Sequence, residues 1–300
     1  MEQVNFGTAG EFSRLVYGVW RLADDKDTSP GHVERKIRLC LDQGIDTFDH
    51  ADIYGDYVCE ELFGAALNIS PDLKGRIKIV TKCDIMLVSE KFPDRRVKYY
   101  DTSSAHIRQS VDTSLERIGV DVIDLLLIHR PDPLMDHHET GHALDRLVTD
   151  GKVKAVGVSN FKPHDFDLLQ SAMQTRLVTN QVEISLLQHS SFLDGTIAQL
   201  QRLAIHPMAW SPLAGGRLFS PEDAAGRRLL PRLEQIGREA GVGPDAVALA
   251  WLLAHPCRIC PVVGTNSIDR IGKLADALKP TIDRETWFEL WTLAAGHEVP

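Results

Sequence analysis

The sequence is short of the features that would send it to a membrane, a disulfide-bonded scaffold or a nucleic acid. Its 300 residues hold only five cysteines, an odd number scattered along the chain, which is the usage of reduced thiols rather than of a disulfide framework. No apolar run approaches the roughly 18 residues needed to cross a bilayer, and the opening MEQVNFGTAGEF lacks the basic start and apolar core of a secretion signal. A soluble, cytoplasmic protein with no membrane contact is expected. Basic residues are outnumbered, 33 Lys and Arg against 42 Asp and Glu, for a formal net charge of −9. Nucleic-acid binding needs the opposite balance, so no such partner is expected and a small molecule fits better. Also missing is a GxGxxG after the first predicted strand, the fingerprint of a doubly wound dinucleotide-binding sheet. No Pro/Gly/Ser-rich linker divides the chain, so residues 1–300 read as a single domain.

What is present is an ordinary globular mixture, 43% hydrophobic and 25% charged, enough for one large core. Eight short runs rich in β-branched residues punctuate it: Leu15–Trp20, Ile45–Asp49, Ile77–Lys82, Val122–His129, Val153–Val158, Leu177–Gln181, Ile205–Trp210 and Arg258–Val263. Amphipathic helical patterns lie between them. His32–Gln43 is closed by Gly44, Ser104–Ile118 by Gly119 and Arg227–Ala240 by Gly241, glycine being the expected residue just past a helix C-terminus. Eight strand–helix units in about 250 residues predict an α/β fold, a single (β/α)8 TIM barrel. Val4–Ser13, with its turn near Gly7–Gly10, predicts an N-terminal β-hairpin; the stretch after Thr281, carrying Trp287 and Trp291, predicts a C-terminal helical extension.

In such a barrel the C-terminal strand ends build the active site. Three successive predicted strands finish on titratable residues, Asp49, Lys82 and His129, with Tyr54 a few residues past the first. Singly each has a structural explanation: an Asp–Lys ion pair, a histidine satisfied by backbone carbonyls. Together they are complementary. A phenol is a poor acid at neutral pH, an ammonium beside it stabilises the phenolate, a carboxylate holds the ammonium charged, and an imidazole can orient an incoming oxygen. The four favour catalysis.

The motifs around these residues carry a resemblance. Asp49-His50-Ala51-Asp52-Ile53-Tyr54, then Lys82 and Leu127-Ile128-His129-Arg130-Pro131, resemble the aldo-keto reductase superfamily. So do Gly157-Val158-Ser159-Asn160-Phe161, Asn180-Gln181-Val182-Glu183 and Trp210-Ser211-Pro212-Leu213-Ala214-Gly215-Gly216, in the family's order and over nearly the whole chain. The chain is most similar to the bacterial YdhF-like oxidoreductases, sharing Val16-Tyr17-Gly18-x-Trp20-Arg21-Leu22 and His129-Arg130-Pro131-Asp132-Pro133-Leu134-Met135. The resemblance implies an enzyme, an NADP-dependent reductase that converts an aldehyde or ketone to an alcohol, with hydride from NADPH and a proton from Tyr54. Asp49 and Lys82 would tune the tyrosine, and His129 would position the carbonyl. Ser159, Asn160 and Gln181 would hold the nicotinamide carboxamide, and Trp210, where many relatives have tyrosine, would stack on its ring. Ser211, Leu213 and Gly215 would line the pyrophosphate, with Trp20 and Gly264 also against the cofactor.

The adenosine end departs from the family. Gly264-Thr265-Asn266-Ser267-Ile268-Asp269-Arg270 lacks the usual lysine, and Leu274 stands where an asparagine is common. Thr265, Ser267 and Arg270 remain to grip a 2′-phosphate, a guanidinium offering several donors to an oxyanion. Other signals are weaker. Cys257 and Cys260 form a lone CxxC, read as two small apolar residues near a strand. Asp132–His142 is rich in Asp and His and reads as a solvated loop and helix cap, with no metal expected. Trp20, Met86, Trp287 and Trp291 serve equally as core or as pocket lining. Two rival functions carry different requirements. A cofactor-binding regulatory or interaction subunit, as potassium-channel β subunits of this family are, would have little turnover; a metal-dependent barrel hydrolase would have to tolerate Lys82 beside its cation. A monomer is expected.

Overall fold

The computed structural model describes residues 1–220 and 222–299, and in it every one of the eight predicted runs becomes a strand. In chain order the strands are β1 (Gln3–Asn5), β2 (Glu11–Ser13), β3 (Val16–Gly18), β4 (Thr47–Asp49), β5 (Lys78–Cys83), β6 (Ile85–Met86), β7 (Tyr99–Tyr100), β8 (Ile123–Ile128), β9 (Val153–Ser159), β10 (Leu177–Glu183), β11 (Met208–Trp210) and β12 (Cys260–Val263). Eight of them, β3, β4, β5 and β8 to β12, close into one parallel barrel, each bonded to its neighbour in sequence, with β12 returning to β3. The strands lie between inner side chains and outer helices, so they are buried on both faces. All six residues of β8 are buried, and its one charge, Asp124, is neutralised by Lys154 Nζ at 2.7 Å and accepts the Ile79 amide at 2.8 Å.

The predicted hairpin forms from β1 and β2 and stoppers one end of the barrel. Val4, Phe6 and Phe12 pack with Val16, Val80, Leu125, Leu127, Met208 and Val262. Thr8 donates to the Lys154 carbonyl at the start of β9, and the Ser13 amide bonds Thr47 at the start of β4. Both contacts lie where strands begin, which leaves the opposite end as the mouth.

The helices start and stop where capping chemistry says they should. Ser104–Ile118 begins at Ser103, whose hydroxyl accepts the His106 amide, and ends at Gly119 with φ of 72°. The helix expected from Arg227 starts earlier, at Ala224, because Asp223 accepts from the Ala225 and Gly226 amides and so fixes an N-terminus upstream of Pro231. The C-terminal extension is the helix Arg284–Ala295. Trp287 stacks on Trp251 at 4.7 Å, and each indole N–H donates to the other's backbone carbonyl at 3.0 Å. Trp287 and Trp291 thus belong to packing between the extension and the barrel's outer layer.

Cys257 and Cys260 are buried, and burial pushes their thiols up to about 11 and about 12. They pack as small apolar residues. In the His-rich stretch, Asp136 caps the helix His137–Thr149; among the described residues no three His, Cys, Asp or Glu side chains are grouped to hold a metal ion. No helix among the described residues is long and apolar enough to cross a membrane. The short antiparallel pair β6–β7 above the mouth was not expected; two-residue strands carry no readable period.

Candidate active site

Asp49 is the last residue of β4, Lys82 the penultimate residue of β5, and His129 follows β8 directly. Tyr54 reaches them because of the turn that follows it. Gly55, Asp56 and Tyr57 all take positive φ, 60°, 55° and 66°. At Gly55 a Cβ would meet Ala23 Cβ at 2.5 Å and Cys59 Sγ at 2.7 Å, so only glycine fits there.

Lys82 is fully buried and is the hub. Its Nζ donates to both Asp49 carboxylate oxygens at 2.8 Å, to the His50 carbonyl at 2.7 Å and to Tyr54 Oη at 3.1 Å. The His129 ring sits edge-on to Tyr54, centroids 6.0 Å apart. Burial opposes the Lys82 charge, but Asp49 and Tyr54 outweigh it and leave its pKa raised. For Tyr54 burial dominates and raises the pKa, while the Lys82 ammonium pulls it down. Burial, then the cations Lys82, Arg130 and Lys98, drive His129 well below its ordinary value. At neutral pH the site therefore offers a protonated phenol, a fixed ammonium beside its oxygen and an uncharged imidazole. Such a set can hand a proton to an oxygen held between Tyr54 and His129 and stabilise the phenolate left behind.

The residues expected at the nicotinamide continue this network. Gln181 Nε2 donates to Asp49 Oδ1 at 2.7 Å; Ser159 Oγ donates to the Gln181 carbonyl at 2.9 Å. Asn160, at φ of 63°, donates from Nδ2 to Ser159 Oγ at 2.8 Å and accepts the Trp210 indole N–H on Oδ1 at 2.9 Å. Trp210 is therefore locked by a bond that a tyrosine would not make in the same way. Past it the chain bends repeatedly through left-handed backbone, at Ser211, Ala214, Gly215 and Gly216, while Leu213 packs back onto the barrel's outer layer.

The adenosine-end segment is tied to the first strand–helix unit. Tyr17 donates to the Thr265 carbonyl at 2.8 Å, and the buried Lys36 bridges Asp25 and Asn266 Oδ1. Asn266 in turn donates to the Arg21 carbonyl at 2.6 Å, next to Trp20, which is 59% exposed. Gly264 passes so close to Gly18 that a Cβ would stand 3.2 Å from its carbonyl oxygen. Ser267 caps the short helix Ile268–Ile271, and Arg270 on it is exposed with no carboxylate partner among the described residues.

Three features were not anticipated. Arg130 places its guanidinium 5.7 Å from the centre of the Trp210 ring, and only its position after His129 hinted at that. Asp52 and Glu60 are buried behind the site, Asp52 on Ser110 and Glu60 on Thr81 and Ser114; burial, then Glu60, raises Asp52 to about 7. Asp84, fully buried, has φ of 106°. Scattered acids of this kind have no motif until the fold gathers them.

The parallel barrel thus gathers Tyr54, Lys82, Asp49 and His129 at the C-terminal ends of its strands. The Aldo/keto reductase family matches residues 14–293, and the chain belongs to that family. It is 56% identical over the full length of both chains to the 6-dehydroglucose reductase of Agrobacterium fabrum strain C58. To the oxidoreductase YdhF of Escherichia coli K12 it is 43% identical, over 97% of this chain and 96% of that one. An aldo/keto reductase from Klebsiella pneumoniae, solved in complex with NADP and acetate, shares the fold with a TM-score of 0.78 at 24% identity, over 97% of this chain and 95% of that one.

Proposed function

We propose that the protein uses NADPH to reduce the aldehyde of an oxidised sugar to the alcohol, with Tyr54 as the proton donor. The observation that carries the reading is the buried Lys82 ammonium, 3.1 Å from Tyr54 Oη and held by both oxygens of the buried Asp49. NADPH, when bound, supplies the hydride. Tyr54 gives its proton to the carbonyl oxygen and Lys82 steadies the phenolate. Asp49 keeps Lys82 charged and aligned, and neutral His129 donates a hydrogen bond that sets the carbonyl's direction.

The chain's own residues fit the cofactor. Asn160 and Ser159 stand beside Trp210 with a mixture of donors and acceptors suited to a carboxamide. The stretch from Ser211 to Gly216 is left-handed at Ser211, Ala214, Gly215 and Gly216, the backbone from which anion-binding nests are built, with the Ala214 and Gly216 amides closing its turns on Ser211 and Leu213. Gly264 allows close approach, and Arg270, exposed and without a carboxylate partner among the described residues, stands near Thr265 and Ser267 and suits a 2′-phosphate.

The sugar assignment rests on likeness to the 6-dehydroglucose reductase of Agrobacterium fabrum and on the substrate side of the site. There Arg130 and Lys98 bear on His129 without carboxylate partners among the described residues, and they suit the oxygens of a polyol. The test is NADPH oxidation with 6-dehydroglucose beside simple aldehydes and ketones, run in parallel on Tyr54→Phe. Loss of about 10²–10⁴-fold in kcat is expected for the variant, and unchanged turnover would refute the proton-donor role. Tight NADPH binding with no turnover of any carbonyl would point instead to a cofactor-binding interaction subunit.

A further inference from the structure

At the end of β5 the backbone leaves the barrel. Cys83 still pairs with Ile128, and its carbonyl accepts the His129 amide at 3.0 Å. At Asp84 the chain turns away to run Ile85–Met86 against Tyr99–Tyr100, with the Asp101 amide on the Asp84 carbonyl at 2.8 Å. Successive amides of a parallel strand face opposite neighbours, so after His129 the Arg130 amide would turn away from β5. It donates instead to Asp84 Oδ2 at 3.0 Å.

We infer that Asp84 is a positioning residue whose side-chain oxygen holds the Arg130 amide just past the point where β5–β8 pairing ends, and so fixes His129 and Arg130 at the substrate mouth. Three independent features support this. The residue sits at φ of 106°, well past the left-handed basin near +57° that Asp tolerates, where glycine would be relaxed. It is fully buried, with its other oxygen lacking any hydrogen-bond partner among the described residues, an arrangement costly to keep. And the amide it holds lies between His129, edge-on to Tyr54, and the Arg130 side chain over Trp210. Strain combined with an unsatisfied buried group, next to residues that must be aimed, is the signature of a functional constraint.

The inference rests on the reductase reading, but one of its two readouts does not. Asp84→Gly relaxes the backbone and removes the acceptor; Asp84→Asn keeps an acceptor oxygen. With any carbonyl that the wild type turns over, Asp84→Gly should lose about 10- to 100-fold in kcat, the cost of misaimed groups, while its NADPH dissociation constant stays unchanged, and Asp84→Asn should recover most of the loss. Independently of substrate, NMR-detected exchange of the Arg130 amide should be fast in Asp84→Gly and slow in Asp84→Asn. The inference is overturned if Asp84→Gly keeps wild-type kcat or slow Arg130 exchange, or if Asp84→Asn behaves like Asp84→Gly. Failure of the reductase reading would show separately, as a wild type inert toward every carbonyl while Arg130 exchange still distinguishes the two variants.

Discussion

The two ends of the cofactor groove are built on different physics. Around Tyr54 the polar groups form one connected network inside the barrel: Lys82, Asp49 and Gln181 are buried and linked by hydrogen bonds, and Asn160 fastens Trp210. Around Arg270 the groups stand in water, on a loop and a four-residue helix, tethered from behind by Tyr17 and Lys36. The buried end has no slack, because each group removed strands its partner in low dielectric. The exposed end can change its side chains at little cost to the fold. On the proposed reading, chemistry is fixed by the barrel and cofactor preference by replaceable surface residues.

The contrast can be broken most severely at Lys82. In Lys82→Met, Asp49 is left buried without its cation, so a stability loss of about 3–5 kcal/mol is expected in denaturant titration, together with loss of turnover. A variant as stable as the wild type would mean that the buried network is not cooperative. Next comes Asp52, a carboxyl whose pKa is about 7 in the fold against an ordinary 3.8. Between those values the folded chain keeps a proton that the unfolded chain has released, so stability falls as pH rises through that window and the penalty is complete above about 7. Asp52→Asn should flatten the profile, adding on the order of 2 kcal/mol at pH 8 and little at pH 4; an unaltered pH profile would show that the acid is not held neutral. The smallest effect sharpens the exposed end. Arg270→Ala should weaken NADPH binding by about tenfold, the worth of one charge-assisted contact, and leave NADH binding nearly unchanged. Equal losses for both would remove Arg270 from the 2′-phosphate.

How much of this was legible in the sequence follows the same division. The barrel was readable because eight strands buried on both faces leave continuous apolar runs, such as Leu125 to Ile128, and because Gly119 and Gly241 punctuate the helices. The cluster was readable because Asp49, Lys82 and His129 interrupt those runs where strands stop. Asp84 was not, since its meaning depends on a backbone that turns away and on an amide 46 residues downstream. Nor was the Trp251–Trp287 stack, whose two rings come from separate helices and meet only after the extension has packed. Local pattern shows which residues are buried, whereas contacts between distant segments have no period to betray them.

The N-terminal hairpin has a corollary for access. Phe6 and Phe12 fill the floor of the barrel, and the packed interior above them separates that end from Lys82 and Tyr54. A substitution in the hairpin should therefore be felt in stability and leave the cluster at the far end of the strands untouched.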